Sequence, residues 1–217
     1  MPYPHVGITW DEAIELGARV TREDQGIQYR GIHPGNSINR IQTQLSLPFV
    51  NPETNRSVVA ETEDWRRLFQ TFERMTSIPG NFPDGPNWGG VRNFYLEGTL
   101  AMYPHLILLG DADFIEAANN GLDWGITTYP TFSDLPGVGP GVFSDGFVIP
   151  NNSSNPDAAF QVIAYLLSDE LQALAARHGN QTSLRNSEIK KLLYETNPIV
   201  QGKDIDFDKI LSIKYSD

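Results

Sequence analysis

Helical spacing of apolar residues is the first pattern the chain offers. Thr9 is followed three positions later by Glu12, a capping box in which hydroxyl and carboxylate each satisfy a free backbone N–H. Trp10, Ala13, Ile14, Gly17 and Val20 then share one face, so an amphipathic helix is expected to stop near Asp24-Gln25-Gly26. Residues 28–33 read as a short strand closed by Pro34-Gly35, and 38–45 as a short helix. A turn at Asn51-Pro52-Glu53-Thr54-Asn55 and a strand at 57–60 lead to Thr62, which opens the most clearly patterned helix. There Trp65, Leu68, Phe69, Phe72 and Met75 recur at the spacing of a buried face, and Pro79-Gly80 ends it.

A loop rich in Gly, Pro and Asn runs through Gly90, long enough to suggest a role of its own. Beyond it the pattern predicts helices at 91–97 and 106–118, with strands at 99–103 and 123–129. Residues 130–141 are dense in Pro and Gly. A strand at 146–149 precedes helices from Pro156, over 168–178 and over 187–195. Strands alternating with helices make an α/β protein. No internal repeat or low-complexity segment interrupts the pattern.

Composition narrows the functions. The 217 residues carry 16 Lys+Arg against 27 Asp+Glu, a formal charge of −11. Nucleic-acid phosphates need clustered basic residues, and here they are scattered, so a nucleic-acid partner is excluded. No cysteine is present, which removes disulfides and thiolate metal cages. Apolar runs such as Leu106-Ile107-Leu108-Leu109 are far short of the ~20 residues that span a bilayer. The opening Met1-Pro2-Tyr3-Pro4-His5 has neither a basic nor an apolar signal region.

The candidate chemical motifs fail one by one. Asp204-Ile205-Asp206-Phe207-Asp208 starts like a calcium loop, but Lys209 stands where glycine is required and Tyr215 where glutamate is. Gly137-Val138-Gly139-Pro140-Gly141 lacks dinucleotide spacing, and a strand rather than a helix was expected after it. Gly141-Val142-Phe143-Ser144-Asp145-Gly146 has one residue too many for a nucleophile elbow. His5, His33, His105 and His178 show no paired metal-ligand spacing. A glycoside hydrolase with unmarked carboxylates remains the alternative function, although no pair is singled out. The sequence therefore predicts no catalytic residue, no metal and no cofactor. Trp10 and Trp65 are expected in the core, whereas Trp88, Tyr103 and Tyr129 lie in loops or at strand ends, where they could stack on a ligand.

The order of four short motifs resembles the family 1 extracellular solute-binding proteins, the sugar-binding receptors of ABC importers to which maltose-binding protein belongs. They are Thr9-Trp10-Asp11-Glu12-Ala13, Phe94-Tyr95-Leu96-Glu97-Gly98-Thr99-Leu100-Ala101-Met102, Trp124-Gly125-Ile126-Thr127-Thr128-Tyr129-Pro130-Thr131-Phe132, and a block from Ser144 through Asn155-Pro156 to Tyr165-Leu166-Leu167-Ser168-Asp169-Glu170. Tyr29-Arg30-Gly31 and Ile78-Pro79-Gly80-Asn81 look most like lipoprotein members from Gram-positive bacteria. The resemblance implies a periplasmic-binding-protein-like type II lobe, a mixed sheet flanked by helices. Members are about twice this length, so the chain is expected to be a truncated piece. Residues 1–141 would be the second lobe, 142–180 a crossing strand and helices that normally complete the first, and 181–217 a return to the second.

The same resemblance implies a function. The parent protein would be an extracellular, membrane-anchored lipoprotein whose signal and anchor are absent from this chain. It would capture a sugar, an oligosaccharide first of all, or a similar polar solute in an interlobe cleft and pass it to ABC permease subunits. Carried onto this sequence, the ligand-binding residues are His33, Asn36 and Arg40 after the first strand, Tyr103 and His105 after the "AM" strand, Asp145 at the lobe crossing, and Trp88. Many sugar binders carry a tryptophan shortly after that strand, where this chain reads Pro104-His105-Leu106. Finally, Phe160, Ile163 and Leu167 share a helical face that Leu171 and Leu174 continue, so self-association through 156–178 is expected.

Overall fold

The computed structural model describes residues 3–33, 37–59, 61–82, 96–105, 109–141 and 146–215. The chain forms two compact units, one of residues 1–106, 120–142 and 208–217, the other of 107–119 and 143–207.

In the first unit α1 (Trp10–Val20) starts from the capping box foreseen: the Glu12 N–H donates to Thr9 Oγ1 at 3.2 Å, and the Thr9 N–H donates to Glu12 Oε2 at 2.8 Å. The helix ends four residues before the predicted stop. Arg22–Asp24 instead forms β1, which turns through Gln25 and Gly26, both at positive φ, into β2 (Ile27–Ile32). That hairpin uses the left-handed backbone glycine tolerates. β1 and β2 are antiparallel, with Arg22 opposite Tyr29. On its other edge β2 pairs in parallel with β5 (Leu100–Met102), placing Arg30 opposite Leu100 and Ile32 opposite Met102.

Between β2 and β5 run α2 (Ser37–Gln44), the small antiparallel pair β3 (Val50–Asn51) and β4 (Arg56–Ser57), and α3 (Glu63–Thr76). Thr62 caps α3 through the Trp65 N–H. Trp65, Leu68 and Met75 are buried as their spacing predicted. Phe69 is not: it stands 42% exposed and stacks on Trp65 from outside, while Thr71 takes the inward position. One core gathers Trp10, Ala13 and Ile14 of α1, Ile32 of β2, Ile41 of α2 and the inner face of α3.

α1 lies so close to β2 that each touching position must be glycine. A Cβ on Gly17 would come within 2.7 Å of Ile32 Cγ2, and one on Gly31 would overlap the Gly17 carbonyl oxygen. Gln44 ties down the other side, accepting from Trp10 Nε1 at 3.1 Å and donating to the Pro130 and Val138 carbonyls at 3.0 and 2.7 Å.

Two predicted strands are not formed. Residues 123–129 run without a ladder, and their neighbourhood pairs only by a bridge between Thr9 and Thr131. The reason is local: in the parallel sense of that bridge 123–129 would lie along the residues before Thr9, and there the chain turns at Val6-Gly7, with Gly7 at positive φ and its N–H donated to Thr128 Oγ1 rather than to a strand carbonyl. Residues 146–149 likewise meet no strand among the described residues, and Val148 is 87% exposed. Conversely, Val138–Gly139 forms β6, pairing in parallel with β7 (Lys214–Tyr215), which the sequence reading had missed.

The second unit is helical. It holds α4 (Ala112–Asn119), α5 (Pro156–Leu166), α6 (Asp169–Arg177) and the short α7 (Ser187–Lys190). α7 dissolves into turns where a helix to 195 was expected, and Tyr194 sits there at positive φ. α8 (Phe207–Ile210) spans the boundary between the units. α5 has no buried residue: Phe160 is 64% exposed.

Candidate functional site

In open α/β sheets, ligands settle outside the carboxyl ends of parallel strands, where loops diverge. The pair β2–β5 has such an end, and three sequence-predicted residues meet there. His33 follows the last residue of β2, and its N–H donates to the Met102 carbonyl at 3.1 Å, carrying the ladder one step past the strand. Tyr103 follows β5 directly, and His105 comes two residues later. Strand register therefore sets the three rings side by side.

The rings touch in sequence. Tyr103 and His105 stack with centroids 4.6 Å apart and planes 12° from parallel. His33 meets Tyr103 edge-on, at 6.0 Å and 67°. Phe82, at the start of the Gly/Pro/Asn-rich loop, stacks on His33 at 5.3 Å and 29°. Both geometries are ones aromatic quadrupoles favour. His33 is buried at 4% exposure, while Tyr103, His105 and Phe82 are half-buried and keep part of their surface accessible.

Charge at this end is set by His33. Burial first, then its electrostatic interactions with Arg30 and His105, push its imidazole down to about 4, so it is neutral at pH 7. A neutral imidazole offers one donor and one acceptor, and the neighbouring phenol offers both as well. Such a set can exchange hydrogen bonds with hydroxyls and stack on an apolar ring face. Among the described residues no cluster of His, Asp and Glu could hold a metal ion.

Of the other expected site residues, Arg40 stands half-buried on α2, whereas Asn36, Trp88 and Asp145 lie outside the described residues. Sequence reasoning missed Phe82 and its neighbour Asn81. The signal available was a polar residue immediately past a helix terminator, in Ile78-Pro79-Gly80-Asn81, but nothing local says which strand it will reach.

This fold and motif order define a class. The chain belongs to the bacterial extracellular solute-binding proteins, whose family profile matches residues 4–173. Its α/β architecture, sheets flanked by helices, is that of periplasmic-binding-protein-type receptors. Among solved structures it is similar to an ABC substrate-binding protein from Listeria monocytogenes, solved in complex with cycloalternan, at a TM-score of 0.65 and 11% identity. It is equally similar, at 0.65 and 17% identity, to a sugar transporter from Rhizobium etli in an open conformation. Both likenesses cover all of this chain and 55% of the other, so it spans about half their length. No curated protein matches it by sequence.

Proposed function

We propose that this chain is the solute-capturing part of an ABC importer receptor, that its solute is a carbohydrate, first of all an oligosaccharide, and that it binds without turnover. The observation that carries the reading is the ring set His33, Tyr103 and His105 at the carboxyl end of β2–β5. Pyranose rings present apolar faces edged by hydroxyls, which this mixture of stacking surface and neutral hydrogen-bonding groups suits. Asn36, Arg40, Trp88 and Asp145 complete the binding set in this reading. The sugar-binding relatives of the same fold support it.

The remaining assignments belong to the same proposal. Residues 1–141 form the second lobe, 142–180 contribute the crossing segment and helices of the first, and 181–217 return to the second. The parent protein is an extracellular, lipid-anchored receptor that delivers its solute to permease subunits. The bare apolar face of α5, continued by Leu174 at 50% exposure on α6, is where a second copy of the chain would pair.

Calorimetry with maltotetraose and cycloalternan tests the function. A site on one lobe makes half the contacts of a closed cleft. Binding to the 217-residue chain is therefore expected in the millimolar range, about −4 kcal/mol, and lost on Tyr103→Ala with the fold intact. Micromolar binding would refute the half-site reading. Undiminished binding by Tyr103→Ala would refute the site, and heat from neither sugar at millimolar concentrations would refute the carbohydrate assignment.

A further inference from the structure

β1 accompanies β2 only as far as Tyr29. Beyond it, on the last turn of strand before the aromatic set, a buried side chain takes over the role of a neighbouring strand. Asn81 is 1% exposed and uses its whole amide. Its Oδ1 accepts from the Gly31 and Ile32 N–H groups at 2.9 and 3.2 Å, and its Nδ2 donates to the Ile32 and Met75 carbonyls at 2.6 and 3.0 Å. Thr21 Oγ1, at the end of α1, also accepts from the Gly31 N–H at 3.0 Å. The two residues before His33 are thereby fixed by one side chain that also reads the end of α3.

The next residue acts on the ring itself. Phe82 stacks on His33, so a single dipeptide holds both the backbone that aims the imidazole and the face it lies against. From the other side, the fit of Gly17 against Gly31 and Ile32 leaves the strand no room to drift toward α1.

We propose that Asn81 is a positioning residue for the aromatic site: it does not touch the solute, but sets the place and burial of His33 through β2 and through Phe82. This rests on the site reading above, yet its test needs no solute. A residue serving the fold alone would lower stability and leave His33 in its environment. A residue that positions His33 must alter the surroundings of the imidazole when it is lost. Those surroundings include the rings of Phe82 and Tyr103 and the side chains of Arg30 and His105.

The readout is therefore the titration of His33, followed by NMR on the full 217-residue chain. In the wild type it should titrate near pH 4. Asn81→Ala is expected to raise its proton affinity at least about tenfold, toward the ordinary histidine value. Asn81→Ser, a smaller lesion, should raise it by less. The comparison is Thr9→Ala, which weakens α1 by removing the cap that Thr9 Oγ1 gives the Glu12 N–H, and should lower thermal stability without moving the titration. Three results would overturn the proposal: an unmoved His33 in either folded Asn81 variant, an equal movement in Thr9→Ala, or failure of both Asn81 variants to fold, which would make Asn81 a residue of the fold alone. Failure to find a sugar that binds would count against the proposed function and not against this assignment.

Discussion

Acid should weaken the first unit through a single histidine. The unfolded chain holds the His33 imidazole at the ordinary value near 6.5, and the native site holds it at about 4. Between those limits the unfolded state binds a proton the native state refuses, so stability rises with pH through the window. It is fully present above about 6.5, is lost as pH falls, and levels off below about 4. A completely dry site would lose about 3 kcal/mol at 1.36 kcal/mol per pH unit, and water reaching the half-buried neighbours reduces this to ~1–2 kcal/mol. The carboxylates held low act elsewhere on the pH axis: Glu12 by the Thr9 N–H, Asp134 by Arg67 and Glu188 by Lys191. Their contributions are present above the usual carboxylate range and fade as pH falls through their depressed values, so they meet the histidine window only at its acid end. Urea unfolding at a series of pH values measures the effect. All four tryptophans lie in the sequence of the first unit, so their fluorescence reports the relevant transition. The decisive comparison is with His33→Gln, which should be flat where the wild type falls. Parallel curves for the two proteins between pH 7 and 4 would show that burial of His33 does not govern the site.

Two further predictions concern the frame around it. Gly31→Ala drives a methyl group into the Gly17 carbonyl, a backbone obstacle that cannot rotate away, and should cost about 3 kcal/mol in urea unfolding; a loss under 1 kcal/mol would mean α1 and β2 are not in contact as described. Gln44→Leu removes the acceptor of Trp10 Nε1 and the donor to two carbonyls while keeping most of the volume. It should cost about 3 kcal/mol, because orphaned buried groups lose their full solvation, and a neutral result would mean water replaces the amide.

What could be read in advance followed the range of the interactions involved. The capping box at Thr9 and the buried stripe of α3 are decided within a few residues, and both formed, Phe69 alone turning outward. Histidine and tyrosine at strand ends were legible because β2 and β5 are short and bounded by Pro34-Gly35 and Pro104. The turn at Gln25-Gly26 reads equally well as a helix stop or a hairpin, since the same turn chemistry serves both ends. The segments 123–129 and 146–149 have strand composition, but a ladder also needs a partner, and partner availability is not written in either segment. Asn81 was opaque for a related reason: its partners Gly31 and Ile32 lie 50 and 49 residues back along the chain.

The Gln44 amide has a consequence for how the molecule comes together in time. Its two carbonyl acceptors lie 86 and 94 residues further along the chain, and Trp10 lies 34 residues before it. Each bond closes a long loop whose entropy must be spent before the bond returns anything. Helices α1 and α3 are closed by local contacts, whereas the corner that Gln44 joins exists only after most of the chain has been gathered. Folding of the first unit should therefore be slow for its helix content, with that corner assembled late and the Trp10 indole N–H among the last groups to gain its partner.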